Sequence, residues 1–129
     1  MTIAVHNTAR SLHVPLCEAS RWAGFFRCRV VAAEAPPIFL LKWGRKGSVD
    51  GQFDHPWGVA VDNRGNVYVA EEFNSRIQKF DGQGNFLLKW GGFRTVENGK
   101  FYNPCGVAVD NRGNVYVADT DNQRIQKFR

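Results

Sequence analysis

The chain has 129 residues, 17 Lys and Arg against 12 Asp and Glu, and a net charge of +5. A hydrophobic share of 43% and a charged share of 22% exclude wholesale disorder and a collagen-like chain, and the length fits one ordinary domain. Apolar runs are only a few residues long, so no membrane span is expected, and the modest charge permits an anionic partner without requiring one.

The first 38 residues contain no repeat. MTIAVHNTARSLHVPLCEASR begins apolar, but His6, Asn7 and Arg10 interrupt the continuous apolar stretch that a secretory signal needs. A helix over 19–33, with Trp22, Phe25 and Phe26 beside Arg21, Arg27 and Arg29, is one reading, and it would make an amphipathic segment for a membrane surface or a partner. The favoured reading is a poorly ordered leader outside the repeat region, closed by Pro36-Pro37. Cys17, Cys28 and Cys105 cannot all pair with one another. Cys17 and Cys28 are too far apart in sequence for a zinc ribbon. Three reduced thiols in a cytoplasmic protein are the expectation.

From Phe39 onward the chain repeats itself. Gly58 to Ala70 recurs letter for letter at Gly106 to Ala118, and Arg76 to Phe80 recurs at Arg124 to Phe128. FLLKWG at Phe39 to Gly44 recurs at Phe86 to Gly91, and the loop from Arg45 to Pro56 is one residue shorter than its counterpart from Gly92 to Pro104. Connections on the surface tolerate such an indel. Within each copy, GVAVD reads as strand a, DNRGN as a tight turn, NVYVAE as strand b and RIQKF as strand c. DGQGN reads as a second turn and FLLKWG as strand d. Val59 and Val61 face away from Ala60, and Val67 and Val69 away from Tyr68 and Ala70. Both faces are therefore apolar and both need cover. This predicts an all-β chain of four-stranded antiparallel meanders, the blades of a β-propeller. The strand order over 39–129 is d-abcd-abc, two blade equivalents and an incomplete ring unless copies assemble.

Pro56-x-Gly58-Val59-Ala60-Val61-Asp62, Gly65 to Ala70 and Asn74-x-Arg76-Ile77-Gln78-Lys79-Phe80 resemble the NHL repeat, the blade of six-bladed, TolB-like propellers. The second copy carries the likeness through Pro104, Gly106 to Ala118, Asp119, Asn122 and Arg124 to Phe128. The resemblance implies that Asp119, Asn122 and Arg124 form a structural clasp between strands b and c. Glu71, Asn74 and Arg76 take those places in the first copy, Glu71 standing where the family prefers Asp. It also implies that three copies would supply six blades, a homotrimer. The rival is that the chain is a fragment of a larger propeller.

Some related propellers are metal-dependent lyases or lactonases, which need a cluster of His, Asp or Glu. The repeats hold one histidine, His55, whose counterpart is Asn103, and neither a nucleophile elbow nor a P-loop. Asp62 and Asp110 precede turns, Phe53 and Phe101 read as core anchors, and Cys105 as a small buried residue. No catalytic residue, metal ligand set or cofactor is assigned. The resemblance implies binding of protein or, in some animal members, RNA, at the end carrying the d–a and b–c loops. There the chain offers Arg45, Lys46, His55, Trp57, Phe73, Phe93, Arg94, Lys100, Tyr102 and Gln123. Basic and aromatic side chains together suit a protein interface or single-stranded RNA. A net +3 over 39–129, from 13 basic and ten acidic residues, is too mild to favour RNA. The expected function is a non-catalytic protein-interaction scaffold.

Overall fold

The computed structural model describes residues 13–17, 28–92 and 94–129. The chain divides into two compact units, Met1–Phe39 and Leu40–Arg129. Among the described residues no helix is long and apolar enough to cross a membrane.

In the first unit β1 (His13–Cys17) pairs antiparallel with β2 (Cys28–Ala32), in register from His13 opposite Ala32 to Cys17 opposite Cys28. This corrects the helix considered over 19–33. Its last part, Cys28–Ala32, is a strand, as the adjacent β-branched Val30 and Val31 favour. Its earlier part, with Trp22, Phe25 and Phe26, lies outside the described residues.

The second unit holds two meanders. The first comprises β3 (Pro56–Val61), β4 (Val67–Glu71), β5 (Arg76–Phe80) and β6 (Phe86–Gly91), hydrogen-bonded in that order. The second comprises β7 (Pro104–Val109), β8 (Val115–Asp119) and β9 (Arg124–Phe128). A one-turn 3-10 helix at Thr120–Asn122 joins the last two. Every pairing between these strands is antiparallel, and a bulge interrupts Pro56/Gly58 and again Pro104/Gly106.

The turns follow from local chemistry. Asp62 Oδ1 accepts the backbone N–H groups of Arg64 and Asn66, both at 2.9 Å, and Oδ2 accepts Asn66 Nδ2 at 2.8 Å and the Tyr68 hydroxyl at 3.2 Å. The Asp side chain thereby closes the a–b turn, and Gly65, at φ 81°, supplies the left-handed residue it needs. Asp110 repeats the arrangement with Arg112, Asn114 and Tyr116.

The two sheets pack face to face. Tyr68, Ala70 and Ile77 of the first sheet meet Val115 and Val117 of the second, with Phe101 between them and Trp90, Val107, Val109 and Phe128 around the margin. Full burial of one such side chain contributes about 1.5–3 kcal/mol. The backbones come close together at Gly58, where a Cβ would lie 2.6 Å from the Cys105 carbonyl oxygen.

One predicted strand is absent. FLLKWG forms β6 at 86–91, yet the same letters at 39–44 are in no ladder. β6 has β5 to pair with, whereas 39–44 meets no strand c, and a strand exists only by pairing. The order in the second unit is therefore abcd-abc.

Candidate functional site

The b–c and d–a loops of both sheets lie at one end, because each strand reverses the direction of the one before it. A buried polar cluster holds this end. Glu71, fully buried, accepts Arg76 Nε at 2.6 Å, Asn74 Nδ2 at 2.6 Å, Gln78 Nε2 at 2.7 Å and the backbone N–H of Asp54 at 3.1 Å. Arg76 spreads its remaining donors over the carbonyl oxygens of Ser48, Val49 and Gln52, at 2.6, 3.1 and 2.9 Å. One guanidinium thus ties strand c to both the b–c turn and the d–a loop. A planar, permanently charged fork of donors suits such a buried position.

The second sheet repeats the cluster. Asp119 accepts Arg124 Nε at 2.7 Å, Asn122 Nδ2 at 2.9 Å, Gln126 Nε2 at 3.0 Å and the Tyr102 N–H at 2.7 Å. Arg124 reaches the carbonyl oxygens of Val96, Glu97 and Lys100. Burial would raise the Asp119 pKa, but the donors from Tyr102, Asn122, Arg124 and Gln126 outweigh it and leave it below the ordinary carboxylate value. Glu71 and Asp119 act in equivalent clusters because the longer side chain still meets the same donors. Gln78 and Gln126 belong to these clusters and were not singled out from the sequence. Gln78 also accepts the Gly51 N–H at 2.9 Å, and Gln126 the Gly99 N–H at 2.8 Å. An amide at the inward middle position of RIQKF, in both copies, was the available signal.

The candidate binding residues fall into separate groups. His55 lies on Phe73 with ring centroids 3.9 Å apart, and its Nδ1 is 2.9 Å from Asp54 Oδ1. Arg45 and Lys46 are exposed on the adjoining d–a loop, pinned where the Phe53 N–H donates to the Arg45 carbonyl at 2.8 Å. In the second copy the Arg94 guanidinium stands over the Tyr102 ring at 5.7 Å. Lys100 Nζ donates to the Gly91 carbonyl oxygen at 3.3 Å, and Gln123 Nε2 to the Thr120 carbonyl oxygen at 3.0 Å. Phe93 lies outside the described residues. Trp57 stands apart from the loop groups. It is 68% exposed and shares an apolar recess with Trp43, Phe53, Val59, Val67 and Val69 on the open side of the first sheet. Among the described residues no three His, Cys, Asp or Glu side chains gather as a metal site.

A four-stranded and a three-stranded antiparallel meander packed face to face, with a repeated acid–Asn–Arg cluster at one end, are blades of a β-propeller. The NHL repeat family model matches residues 53–80 and 101–128, and the chain carries two NHL repeats. It is 48% identical over 59 residues to protein lin-41 of Caenorhabditis elegans, which is 46% of this chain and 5% of lin-41. Protein brain tumor of Drosophila melanogaster is 43% identical over 54 residues, 42% of this chain and 5% of that protein. The E3 ubiquitin-protein ligase TRIM71 of Gallus gallus is 46% identical over 46 residues, 36% of this chain and 5% of the ligase. The chain thus spans a small part of the length of these relatives.

Proposed function

We propose that the two repeats form a non-catalytic β-propeller module that binds protein through its loop end. The observation that carries this reading is the pair of aromatic groups on the loops, the His55 ring on exposed Phe73 and the Arg94 guanidinium over half-buried Tyr102, mounted on loops that buried clusters hold in place. Rigid aromatic and Arg side chains anchor protein interfaces because they bury much area at little entropic cost. Glu71 and Asp119, the two buried acids at this end, are engaged in the clusters as hydrogen-bond acceptors, which supports a structural use of them over a chemical one.

The same two aromatic groups carry the second reading, single-stranded RNA stacked on Phe73 and Tyr102. Two arms separate the readings. Quantitative affinity capture with the intact chain and with a Phe73→Ala/Tyr102→Ala variant is expected to show specific proteins depleted about tenfold by loss of the anchors. Identical captured sets would overturn the protein reading. In the other arm, a labelled oligouridylate is expected to show no anisotropy change at low salt. Salt-sensitive binding that the variant loses would put RNA in its place.

A further inference from the structure

Two sides of the repeat unit are open, and each copies a side that is covered within it. The covered side of the first sheet carries Tyr68, Ala70 and Ile77, which are 5, 0 and 0% exposed. Their counterparts Tyr116, Ala118 and Ile125 lie on the open side of the second sheet, where Ile125 is 66% exposed. Conversely, Val107 and Val109 of the second sheet pack into the core, while their counterparts Val59 and Val61 are 67 and 60% exposed. The two open sides are therefore the two halves of the interface already formed between the sheets.

The open strand edges match in the same way. β5 and β9 are both RIQKF, and β5 pairs with FLLKWG in β6. The outer edge of β9 has no ladder partner among the described residues. The other FLLKWG has none either, yet it is already seated. Trp43 packs on Phe80 at 5.9 Å and 56°, as Trp90 packs on Phe128 at 5.7 Å and 60°. Phe53 touches Phe80 as Phe101 touches Phe128. Leu41–Gly44 thus stands over the first sheet as β6 stands over the second.

We infer that a second copy of this chain covers both openings. The second sheet of one copy seats on Val59 and Val61 of the next, and its β9 pairs with the seated Leu41–Gly44 of that copy. The β5–β6 register places Arg124 opposite Gly44, Ile125 opposite Trp43, Gln126 opposite Lys42 and Lys127 opposite Leu41. Main-chain hydrogen bonds and apolar burial act together there, as in other cases of strand addition. The contact joins unlike surfaces, so it propagates head to tail until it closes. Three copies reach the six blades of a TolB-like ring. This inference rests on reading the repeats as a protein-binding module and names one partner.

Light scattering of the purified full chain tests it without any other protein. The expected native mass is three times 14.6 kDa. Ile125→Asp and Val59→Asp damage opposite ends of the contact. Both side chains are already in solvent, so each variant is expected to keep the wild-type circular dichroism and to run as a single chain. An equimolar mixture retains one intact contact and is expected to form a two-chain species that grows no further. A wild-type mass of one chain, variants that keep the wild-type mass, or a mixture without the two-chain species would overturn the inference. A single-chain wild type would assign the open sides to a different chain or segment and leave the capture assay untouched. Phe73→Ala/Tyr102→Ala is expected to assemble like the wild type, so failure at the loops and failure at the open sides read out separately.

Discussion

Arg76 and Arg124 occupy equivalent places and differ in surroundings. The Arg76 side chain is 8% exposed against a fully buried Glu71, whereas the Arg124 side chain is 26% exposed against a fully buried Asp119. Removing Arg76 strands a carboxylate in the interior, a loss of about 3–5 kcal/mol. Removing Arg124 lets water reach the acid and is expected to cost less, about 1–3 kcal/mol. Urea midpoints of Arg76→Ala and Arg124→Ala should fall in that order, and equal midpoints would show that burial does not set the difference. Arg76→Lys should recover only part of the loss, because an ammonium cannot bridge Glu71 and three carbonyl oxygens with one planar fork.

At the scale of strands and turns, Gly91 ends β6 at φ 96°, and a Cβ there would lie 2.4 Å from Phe101 Cδ2. Gly99 has a similar φ of 80°, but a Cβ would meet nothing within 4 Å. Both substitutions by Ala therefore carry the left-handed backbone cost of about 1 kcal/mol, and only Gly91→Ala also displaces a buried ring. Thermal melts should place Gly91→Ala at least about 1 kcal/mol below Gly99→Ala. The strands of the two repeats were legible in the sequence because valine alternation, Asp–Gly turns and a second identical copy agreed at every step. The roles of Gln78 and Gln126 were not, since an amide on a strand looks like a surface residue until its partners, Gln52, Gly51 and Gly99, are known. The sharpest difference is FLLKWG, a strand at 86–91 and unpaired at 39–44. The copy at 86–91 follows RIQKF through a tight turn and pairs with it, whereas no such strand precedes 39–44, so the preceding sequence and not the hexapeptide itself separates the two. Trp57 was assigned to the loop end from its place before strand a, but it sits at the Pro56/Gly58 bulge and lines the apolar recess with Val59.

For the whole molecule, the turns and clusters make acid the natural denaturant. Asn114 donates to the Asp110 carboxylate and, with the Asn114 and Arg112 N–H groups and the Tyr116 hydroxyl, overcomes desolvation to lower its pKa from 3.8 to about 2. Asp62, Asp81 and Asp119 are lowered as well. A carboxylate whose folded pKa is depressed stabilises the fold fully above its ordinary value and loses that contribution as pH falls through the folded value. The melting temperature should therefore hold down to about pH 4 and drop between there and about pH 2, with Asp110→Asn showing a shallower fall. A midpoint that declines evenly from neutral pH would contradict this. The recess on the open side of the first sheet has a further consequence. Trp43 and Trp57 line it, two of the four tryptophans in the chain, and both indoles face solvent there, 36 and 68% exposed. Among the described residues this open surface is thus also where tryptophan fluorescence is most exposed to water. Its emission colour reports, without any label, whether that surface is wet or covered.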